Sequence, residues 1–591
     1  MDLFPHLIIK QLLSYDELSN LDKICFVLTC RSLYNARDKY LRLESNSRMF
    51  KKHNIHHSQR TLPMYQSRIG HVVDYFANTN NKSFKLNSFR SAIVKSLTQE
   101  AEYGADVDQH AASIYSLMTN GCERKIAPTV NHLDFSFFKG DFNKLDEKAM
   151  QCKATHIIFG CDLALPRDLS RFGHITHLFL VHNFNHPVLA GDIPNTVTSL
   201  KFGNNFNHVL TPGVLPKSIR RLSFGYQYNQ PLARGTIPDR LECLSFSDLF
   251  NQPIEVGVLP ITLVDLSFGS TFDQSLAPRS LPPNLKHLIL SERFSGLGVG
   301  TLPSSLLSLK MNLIQGQLLL PDYLPAHMTS LTLTVGHNSW NGRLEPGVLP
   351  ASLTYLALWN FQEQLVKGVL PPNLKIFKAT GYNVNCCCRE VGTIPDSVEE
   401  IDLASNSFIG LPLVPGYLPP RLRSLKMTGH VPTSIPAHFF PSTLQSIEFP
   451  SGYNHALPPN ALPPSATYLK LSVSFDIMMS QCLVNLAKGC TLVIESSEQT
   501  NRFTIPFRER LDRFLSNEAI HLANNSINVI VFNRSLEFTI RFINQSHCLV
   551  LCDILHGGII PVDQLTDKTF ILKYISPTYD SFDKVLVSSL A

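Results

Sequence analysis

Three short clusters of chemically active side chains in this 591-residue chain are candidates for metal or phosphate binding. Three consecutive cysteines at 386–388 and the histidines His53, His56 and His57 are zinc-ligating residue types, and segment 295–300 has the glycines of a phosphate loop. Consecutive cysteines do not converge easily on one ion, the histidines lie in a solvated basic stretch, and no helix follows the glycines. No zincin, Walker or nucleophile-elbow motif occurs. The sequence therefore predicts no metal, no cofactor and no catalytic residue.

The elements around these clusters are set by a ladder of thirteen prolines, each preceded by Leu, Ile or Phe. Apolar residues recur three, six and eight positions after each proline, the first five prolines are 22 residues apart, and later spacings range from 21 to 25. A fixed period of this size predicts a solenoid of stacked coils. The prolines are Pro194, Pro216, Pro238, Pro260, Pro282, Pro303, Pro325, Pro350, Pro371, Pro395, Pro419, Pro441 and Pro463.

Each repeat is expected to contribute one short strand, because its last two apolar residues, such as Leu200 and Phe202, are two positions apart. A turn glycine such as Gly203 follows, and then an aromatic–Asn pair such as Phe206-Asn207. We expect the aromatics to form a column inside the coils and the asparagines to bond the turns of adjacent coils. A second glycine, three residues before the proline in nine of the thirteen repeats, predicts a tight or positive-φ turn.

The pattern Phe-Asn-x-Pro-Leu, followed by Gly-x-Leu/Ile-Pro-x-Ser-Leu-x-x-Leu-x-Phe-Gly, resembles the FNIP (IP22) repeat family over residues 150 to 475, most strongly from 183 to 275. That resemblance implies a leucine-rich-repeat-like architecture. We therefore predict an α+β chain whose residues 126–475 form a leucine-rich-repeat-like β-solenoid of about 22-residue repeats. Mixed helices and strands would flank it.

The first 45 residues have a different character, with two helical patterns and a proline at a plausible first helical position. They resemble an F-box, a module that docks onto a Skp1-type adaptor in a cullin-RING ubiquitin ligase. The resemblance assigns adaptor binding to Pro5, Ile8, Leu12, Leu13 and Leu28. The alternative is a helical cap on the solenoid. Residues 46–125, with helical patterning that includes 108–118, are predicted to form a helical linker or cap.

Beyond residue 475 the period disappears, and residues 476–591 are predicted to form a small α/β capping domain. Strands are expected at 492–494, 527–532, 538–542, 549–551 and 570–574, with a helix over 507–522. That helix contains Arg508, Arg510 and Arg513, which gives an alternative reading as a target of a calmodulin-like partner.

The strand positions five and seven residues after each proline point away from the core and line the sheet surface, which repeat proteins often use for binding. Their charges have mixed signs, whereas nucleic-acid binding needs a basic stripe, so we expect protein partners and no nucleic acid. The alternative is a sheet face that is only solvated. The predicted solenoid face comprises Lys201, Arg221, Asp265, His287, Lys310, Tyr355, Lys378, Glu400, Asp402, Lys426 and Tyr468.

Cysteine content and hydropathy indicate the cellular compartment in which such a protein would work. The 13 cysteines have no paired spacing, which suits reduced thiols in the cytoplasm or nucleus. No signal peptide and no membrane span are expected, since no long apolar run occurs. The leading interpretation is a substrate receptor of a ubiquitin ligase that binds its target on the solenoid, and the alternative is a ligase-independent scaffold. An enzyme is the third class, and we expect none, because no residue supports it.

Overall fold

The computed structural model divides the chain into two compact units. The first comprises Val107–Pro412 and Gly416–Leu422, and the described residues of the second begin at Leu413–Pro415 and continue from Arg423. The structure describes residues 111–113, 132–134, 155–159, 165, 169, 174–180, 184–295, 297–298, 300–315, 319–335, 340, 342–381, 388, 390–403, 413–427, 434–450, 453, 455, 457–472, 486–495, 505–532, 537–551 and 557–566.

The described part of the first unit is a β-solenoid in which every strand pairs in parallel with the next strand along the chain. Leu200 lies opposite Leu222, which in turn lies opposite Leu244, so the same repeat position recurs in every coil. The predicted solenoid is thereby confirmed. Its strands are β1 (Ala111–Ser113), β2 (His132–Asp134), β3 (His156–Phe159), β4 (His177–Leu180), β5 (Ser199–Phe202), β6 (Arg221–Ser223), β7 (Cys243–Ser245), β8 (Asp265–Ser267), β9 (His287–Ile289), β10 (Ser308–Leu313), β11 (Ser330–Val335), β12 (Tyr355–Trp359), β13 (Ile376–Thr380) and β14 (Glu400–Leu403).

Strand β1 corrects the prediction that segment 108–118 is helical. Its three residues pair in parallel with β2, one coil before the predicted start of the solenoid. Pairing with a neighbouring strand supplies backbone hydrogen bonds that a local helical pattern cannot reveal, so tertiary context overrides the pattern here. The rest of the predicted linker, and the F-box-like residues 1–45, lie outside the described residues.

The turn before each proline requires a left-handed backbone, as predicted. The residue three before the proline has positive φ in all thirteen repeats, and glycine occupies nine of these positions with φ between 76° and 93°. The other four are Arg279, Asp322, His438 and Asn460, with φ between 61° and 70°. The repeat therefore keeps its turn geometry even where its sequence loses the glycine.

Two interleaved columns of aromatic rings fill the coils around β5–β9. Within a coil the two rings stack with centroids 3.9 to 4.1 Å apart, as for Phe246 and Phe250. Between coils the rings of the longer column are 6.0 to 6.3 Å apart. The longer column contains Phe184, Phe206, Tyr228, Phe250, Phe272 and Phe294, and the shorter contains Phe202, Phe224, Phe246 and Phe268.

Tyr228 is the exception among these aromatics because it brings a hydroxyl into the column. The side chain is fully buried, and its hydroxyl oxygen has no hydrogen-bond partner among the described residues. Burial also raises the pKa of Tyr228, since an ionised phenol is unfavourable there. The column therefore accommodates a buried hydroxyl at this position although no hydrogen bond among the described residues stabilises it.

A ladder of amide side chains joins the same coils, as predicted from the aromatic–Asn pairs. The Oδ1 atom of Asn229 accepts hydrogen bonds from the backbone N–H of Asn251 at 2.9 Å and from Nε2 of Gln252 at 3.1 Å. The same pattern is made by Asn207 one coil earlier and by Asn251 one coil later. Each coil thus satisfies a turn N–H of the next.

The turn glycines after the strands allow these coils to approach closely. A Cβ atom on Gly225 would lie 2.1 Å from the carbonyl oxygen of Gly203, and one on Gly269 would lie 1.9 Å from that of Ser247. Neither glycine has a positive φ, so the requirement is for space and not for a left-handed turn. The sequence correctly indicated a turn at this position, and the structure shows why it excludes a side chain.

The coils around β10–β13 are built differently. Their strands have five or six residues, whereas β6–β9 have three. The ladder of asparagines ends at Asp273, whose Oδ1 accepts from the N–H of Ser295. Trp340 and Phe361 take the aromatic position in two of these coils, with ring centroids 5.6 Å apart and tilted by 40°. The longer strands widen the sheet at this place.

The second unit continues the parallel pattern and then changes it. Its strands β15 (Ser424–Met427), β16 (Ser446–Glu448), β17 (Tyr468–Ser472), β18 (Thr491–Glu495) and β19 (Asn528–Phe532) are parallel, so stacking extends past residue 475. Strands β20 (Glu537–Phe542), β21 (His547–Leu551) and β22 (Gly557–Pro561) are antiparallel. Four of the five predicted C-terminal strands are thereby confirmed, and 570–574 lies outside the described residues.

The predicted C-terminal helix is observed as α1 (Ile505–Asn524), which packs against a 3-10 helix, Val562–Thr566. Leu511, Phe514, Leu515 and Leu522 are all buried on one side of α1. Within the described residues, no helix is both long enough and apolar enough to cross a membrane.

Candidate outward sheet face

The outward side of the parallel sheet is the candidate functional surface. In β5, Leu200 and Phe202 are buried while Lys201 between them is exposed, because successive side chains of a strand point to opposite faces. Parallel register repeats this alternation from strand to strand. The outward face therefore consists of rows of residues whose identity the core does not dictate. We call the positions five, seven and nine residues after each proline the +5, +7 and +9 rows.

The predicted face residues all lie on strands, although they differ in exposure. In the first unit, the exposed ones are Lys201, Arg221, His287, Lys310 and Glu400, and the half-buried ones are Asp265, Tyr355, Lys378 and Asp402. In the second unit, Lys426 and Tyr468 are half-buried. Their role in binding stays a prediction.

On the +5 row, Cys243, Asp265 and His287 occupy three adjacent strands. The Sγ atom of Cys243 donates to Oδ2 of Asp265 at 3.1 Å, and Nε2 of His287 lies 3.9 Å from Oδ1 of the same carboxylate. Burial, reinforced by this hydrogen bond and by the charge of Asp265, raises the pKa of Cys243 to about 11. The thiol therefore stays protonated at neutral pH, which does not favour a nucleophile or a metal ligand.

Two histidines continue the +5 row on β3 and β4, because His156 lies opposite His177 and His177 lies opposite Ser199 in the register. The rings of His156 and His177 stack with centroids 4.1 Å apart, and each Nδ1 lies 2.9 Å from the hydroxyl of the preceding residue, Thr155 or Thr176. Stacked parallel rings present their ring nitrogens side by side and not toward one point. In the part of the chain that the structure describes, no group of three or more His, Cys, Asp or Glu side chains could hold a metal ion.

The cysteine cluster at 386–388 is described only at its last residue. Cys388 is buried, with 3% of its surface exposed, and its carbonyl accepts a hydrogen bond from the Tyr417 hydroxyl at 2.5 Å. Cys388 therefore packs in the interior of the structure. The remaining two cysteines and His53, His56 and His57 lie outside the described residues.

In the first unit, β12 carries the largest aromatic side chains of the outward face. Tyr355, Ala357 and Trp359 share one face of β12, at the +5, +7 and +9 positions. The ammonium of Lys378 on β13 lies 5.6 Å from the centroid of the Tyr355 ring, a cation–π contact. Trp359 is 47% exposed, although tryptophan is rarely left in solvent.

Sequence reasoning missed Trp359, because it considered only the +5 and +7 rows. A signal exists at +9, where Gly203, Gly225, Ser247, Gly269 and Ser291 give way to larger residues. Those larger residues are Asn312, Thr334, Trp359 and Thr380, all on β10–β13. A change from small to large at +9 therefore marks the coils whose strand continues one residue or more.

In the second unit, the outward charges pair with one another. The Nζ atom of Lys470 lies 2.8 Å from Oε2 of Glu495 and 3.8 Å from Oε2 of Glu448. Burial lowers the pKa of Lys470, but these two carboxylates outweigh it and leave the pKa raised. Burial and the charge of Glu448 likewise raise the pKa of Tyr468. The charge of Lys470 is therefore already compensated by carboxylates of the same face.

Comparison with known proteins supports the repeat assignment. The model of the FNIP Repeat matches residues 184–227, 228–271, 272–314 and 340–378, so the chain contains FNIP repeats. A solved structure described as CroV588, "a novel circular LRR protein structure", is 26% identical, with a TM-score of 0.49. The similarity covers 65% of this chain and 58% of that one, so it spans less than two thirds of CroV588. No curated protein matches the chain. A repeat solenoid with an extended sheet face is an architecture suited to protein interaction.

Proposed function

We propose that this chain is a protein-interaction module that binds a protein partner on the outward face of its parallel sheet. The observation that supports this is the separation of roles within each strand. Buried positions such as Leu200 and Phe202 form the core, whereas the +5, +7 and +9 rows carry charged and aromatic residues that the core does not require. Exposed aromatic and charged side chains of mixed type are typical of protein-binding surfaces.

Site-specific photocrosslinking in cells tests this proposal. A photoreactive amino acid replaces an outward residue, Ser245 on β7 or Thr332 on β11, and in control proteins it replaces Lys217 or Asp239, which are exposed in turns away from the face. We expect a discrete protein adduct from at least one outward position and none from the turns. Equal labelling from all four positions would show that the face is only solvated.

We further propose that residues 1–45 recruit a Skp1-type adaptor, so that the face presents a ubiquitylation target. The F-box resemblance supports this role. The test is binding of the purified full-length chain to a purified Skp1-type adaptor, compared with the double variant Ile8→Glu/Leu28→Glu. We expect a stable complex with the native chain and at least a tenfold weaker one with the variant. Absence of any complex with the native chain would leave a scaffold that acts without a ligase.

The calmodulin-like alternative has less support. A helix recognised by such a partner must offer an apolar face, but that of α1 is buried, with Leu511, Phe514 and Leu515 at most 2% exposed. Binding would require α1 to leave its site, at the cost of this burial.

A further inference from the structure

Resting on the proposed function, we propose that β10–β13 form a docking site for an acidic protein segment that carries an aromatic or aliphatic side chain. We define this site as the aromatic platform, formed by Tyr355, Ala357 and Trp359 on β12 and by Ile376 and Lys378 on β13. It lies on two of the four longer strands of the first unit.

The shape of the platform follows from the order of residues on β12. Two large rings at +5 and +9 flank the small Ala357 at +7, and Ala357 is only 1% exposed although it lies on the outward face. Lys378 lies opposite Ala357 in the register, and its ammonium lies over the Tyr355 ring. Neighbouring side chains therefore cover the alanine, and the rings, the lysine and Ile376 form a continuous partly apolar surface.

The exposure of Trp359 indicates that the platform is incomplete without a partner. Trp359 is 47% exposed, whereas Trp340, the only other tryptophan of the chain, is 4% exposed. Its strand neighbours at +9, Thr334 and Thr380, are too small to cover an indole. Tryptophan and tyrosine in such positions contribute strongly to protein interfaces, since they bury much apolar area with little loss of side-chain entropy.

The charge around the platform determines the chemistry of the partner. The outward rows of β10–β13 contain Lys310 and Lys378 and no carboxylate. Within the described residues neither ammonium has an ion-pair partner, and Lys378 lies over Tyr355 instead of pairing with Asp402, its neighbour on β14. By contrast, Lys470 in the second unit is paired with two carboxylates. An acidic segment complements these two lysines, which have no carboxylate partner among the described residues.

The acidic strand β14 indicates how the partner is oriented on the platform. Glu400 lies opposite Ile376 and Asp402 opposite Lys378, so carboxylates border the platform on that side only. Glu400, which is exposed, repels acidic residues of the partner, whereas Lys310, two strands away on the other side, attracts them. We therefore expect the partner to place its apolar side chain on Trp359 and Tyr355 and its carboxylates toward β10.

Selection from a phage-displayed library of random linear 12-residue peptides on the immobilised full-length chain tests the composition of the partner. We expect enriched peptides to combine Asp or Glu with aromatic or aliphatic residues. Basic or uncharged enriched peptides, or no enrichment, would overturn the proposal.

Variants of the full-length chain test the location, with enriched peptides synthesised and their affinities measured by fluorescence anisotropy. We expect Trp359→Ala, and separately Lys310→Glu/Lys378→Glu, to weaken binding about tenfold or more. The control is Lys201→Glu, which makes the same type of substitution at one position of the same row on β5 and should change affinity less than about twofold. Two independent platform variants, each checked by circular dichroism, separate loss of binding from loss of fold.

The control also separates this inference from the broader proposal. Peptides that lose affinity with Lys201→Glu but not with the platform variants would leave binding by the outward face intact and overturn the platform as its site. Peptides insensitive to every outward variant would count against both proposals. High salt should weaken platform binding, since surface charge attraction is screened.

Discussion

The coils around β5–β9 and those around β10–β13 cover the inner side of the same kind of parallel sheet with different residues. The first set has short strands, paired aromatic columns and an asparagine ladder. The second has longer strands, a less regular interior and one exposed tryptophan, Trp359, on the outside. At +9 the contrast is sharpest, because Gly225 admits no side chain while Trp359 presents one to solvent.

The coils with the most regular interior are therefore not the ones that carry the largest outward side chains. Where every coil meets a nearly identical neighbour, the interior residues are fixed, and the +7 residues of three successive strands, Ser223, Ser245 and Ser267, are small. Where the pattern relaxes, the strand lengthens and carries large side chains outward. The less regular coils are therefore the more informative place to seek function.

Removing a ring from the aromatic column should have the largest effect. Phe250→Ala deletes a fully buried ring that stacks on Phe246 at 4.0 Å, and we expect a loss of about 3–5 kcal/mol in unfolding free energy. Urea unfolding followed by circular dichroism measures it. The matched change on the other set of coils, Trp359→Ala, should cost less than about 1 kcal/mol. Similar losses of unfolding free energy for both variants would contradict the proposed difference between the two regions.

Filling the close contact between turns should have the next largest effect. Gly225→Ala places a methyl 2.1 Å from a backbone oxygen that has no flexible end to move, and we expect about 2–3 kcal/mol of destabilisation. The same unfolding experiment applies. A cost within a few tenths of a kcal/mol would mean that the coils can slide apart without penalty.

Substitutions at equivalent positions of the asparagine ladder and of a wide coil should differ in their cost to stability, by less than the substitutions above. Asn229→Ala removes the acceptor of two hydrogen bonds from the next coil, which should cost about 1–2 kcal/mol. Gln362 occupies the same place, nine residues before the next proline, in a wide coil and is exposed. Gln362→Ala should therefore change stability by less than about 0.5 kcal/mol, and a larger effect there would contradict the contrast.

Tyr228→Phe should make the column slightly more stable. It removes a buried hydroxyl that has no partner among the described residues, so we expect a gain of about 1 kcal/mol. The reverse change one coil later, Phe250→Tyr, should destabilise by a similar amount. Loss of stability in Tyr228→Phe would mean that the hydroxyl makes a contact of its own.

Period and residue type were sufficient to predict the stacked coils, one aromatic column, the amide ladder and the left-handed turns, because each depends on one position recurring in every coil. Strand β1 and the length of β10–β13 were not predictable in this way. The presence of β1 and the residue at which each long strand ends depend on hydrogen bonds and packing with the neighbouring coil. Trp359 was overlooked for that reason. The pairing of Lys470 with Glu495 joins a repeat to a strand beyond the last recognisable period.

The amide ladder has one consequence for how such a chain can change in length. Each acceptor faces the following coil and each turn N–H faces the preceding one, as Asn207, Asn229 and Asn251 demonstrate. A duplicated copy of residues 228–249 would find a matching partner on both sides. The number of repeats in this stretch can therefore change without breaking the ladder. In the wide coils no two neighbours are interchangeable, and an added copy there would shift the aromatic platform relative to its lysines.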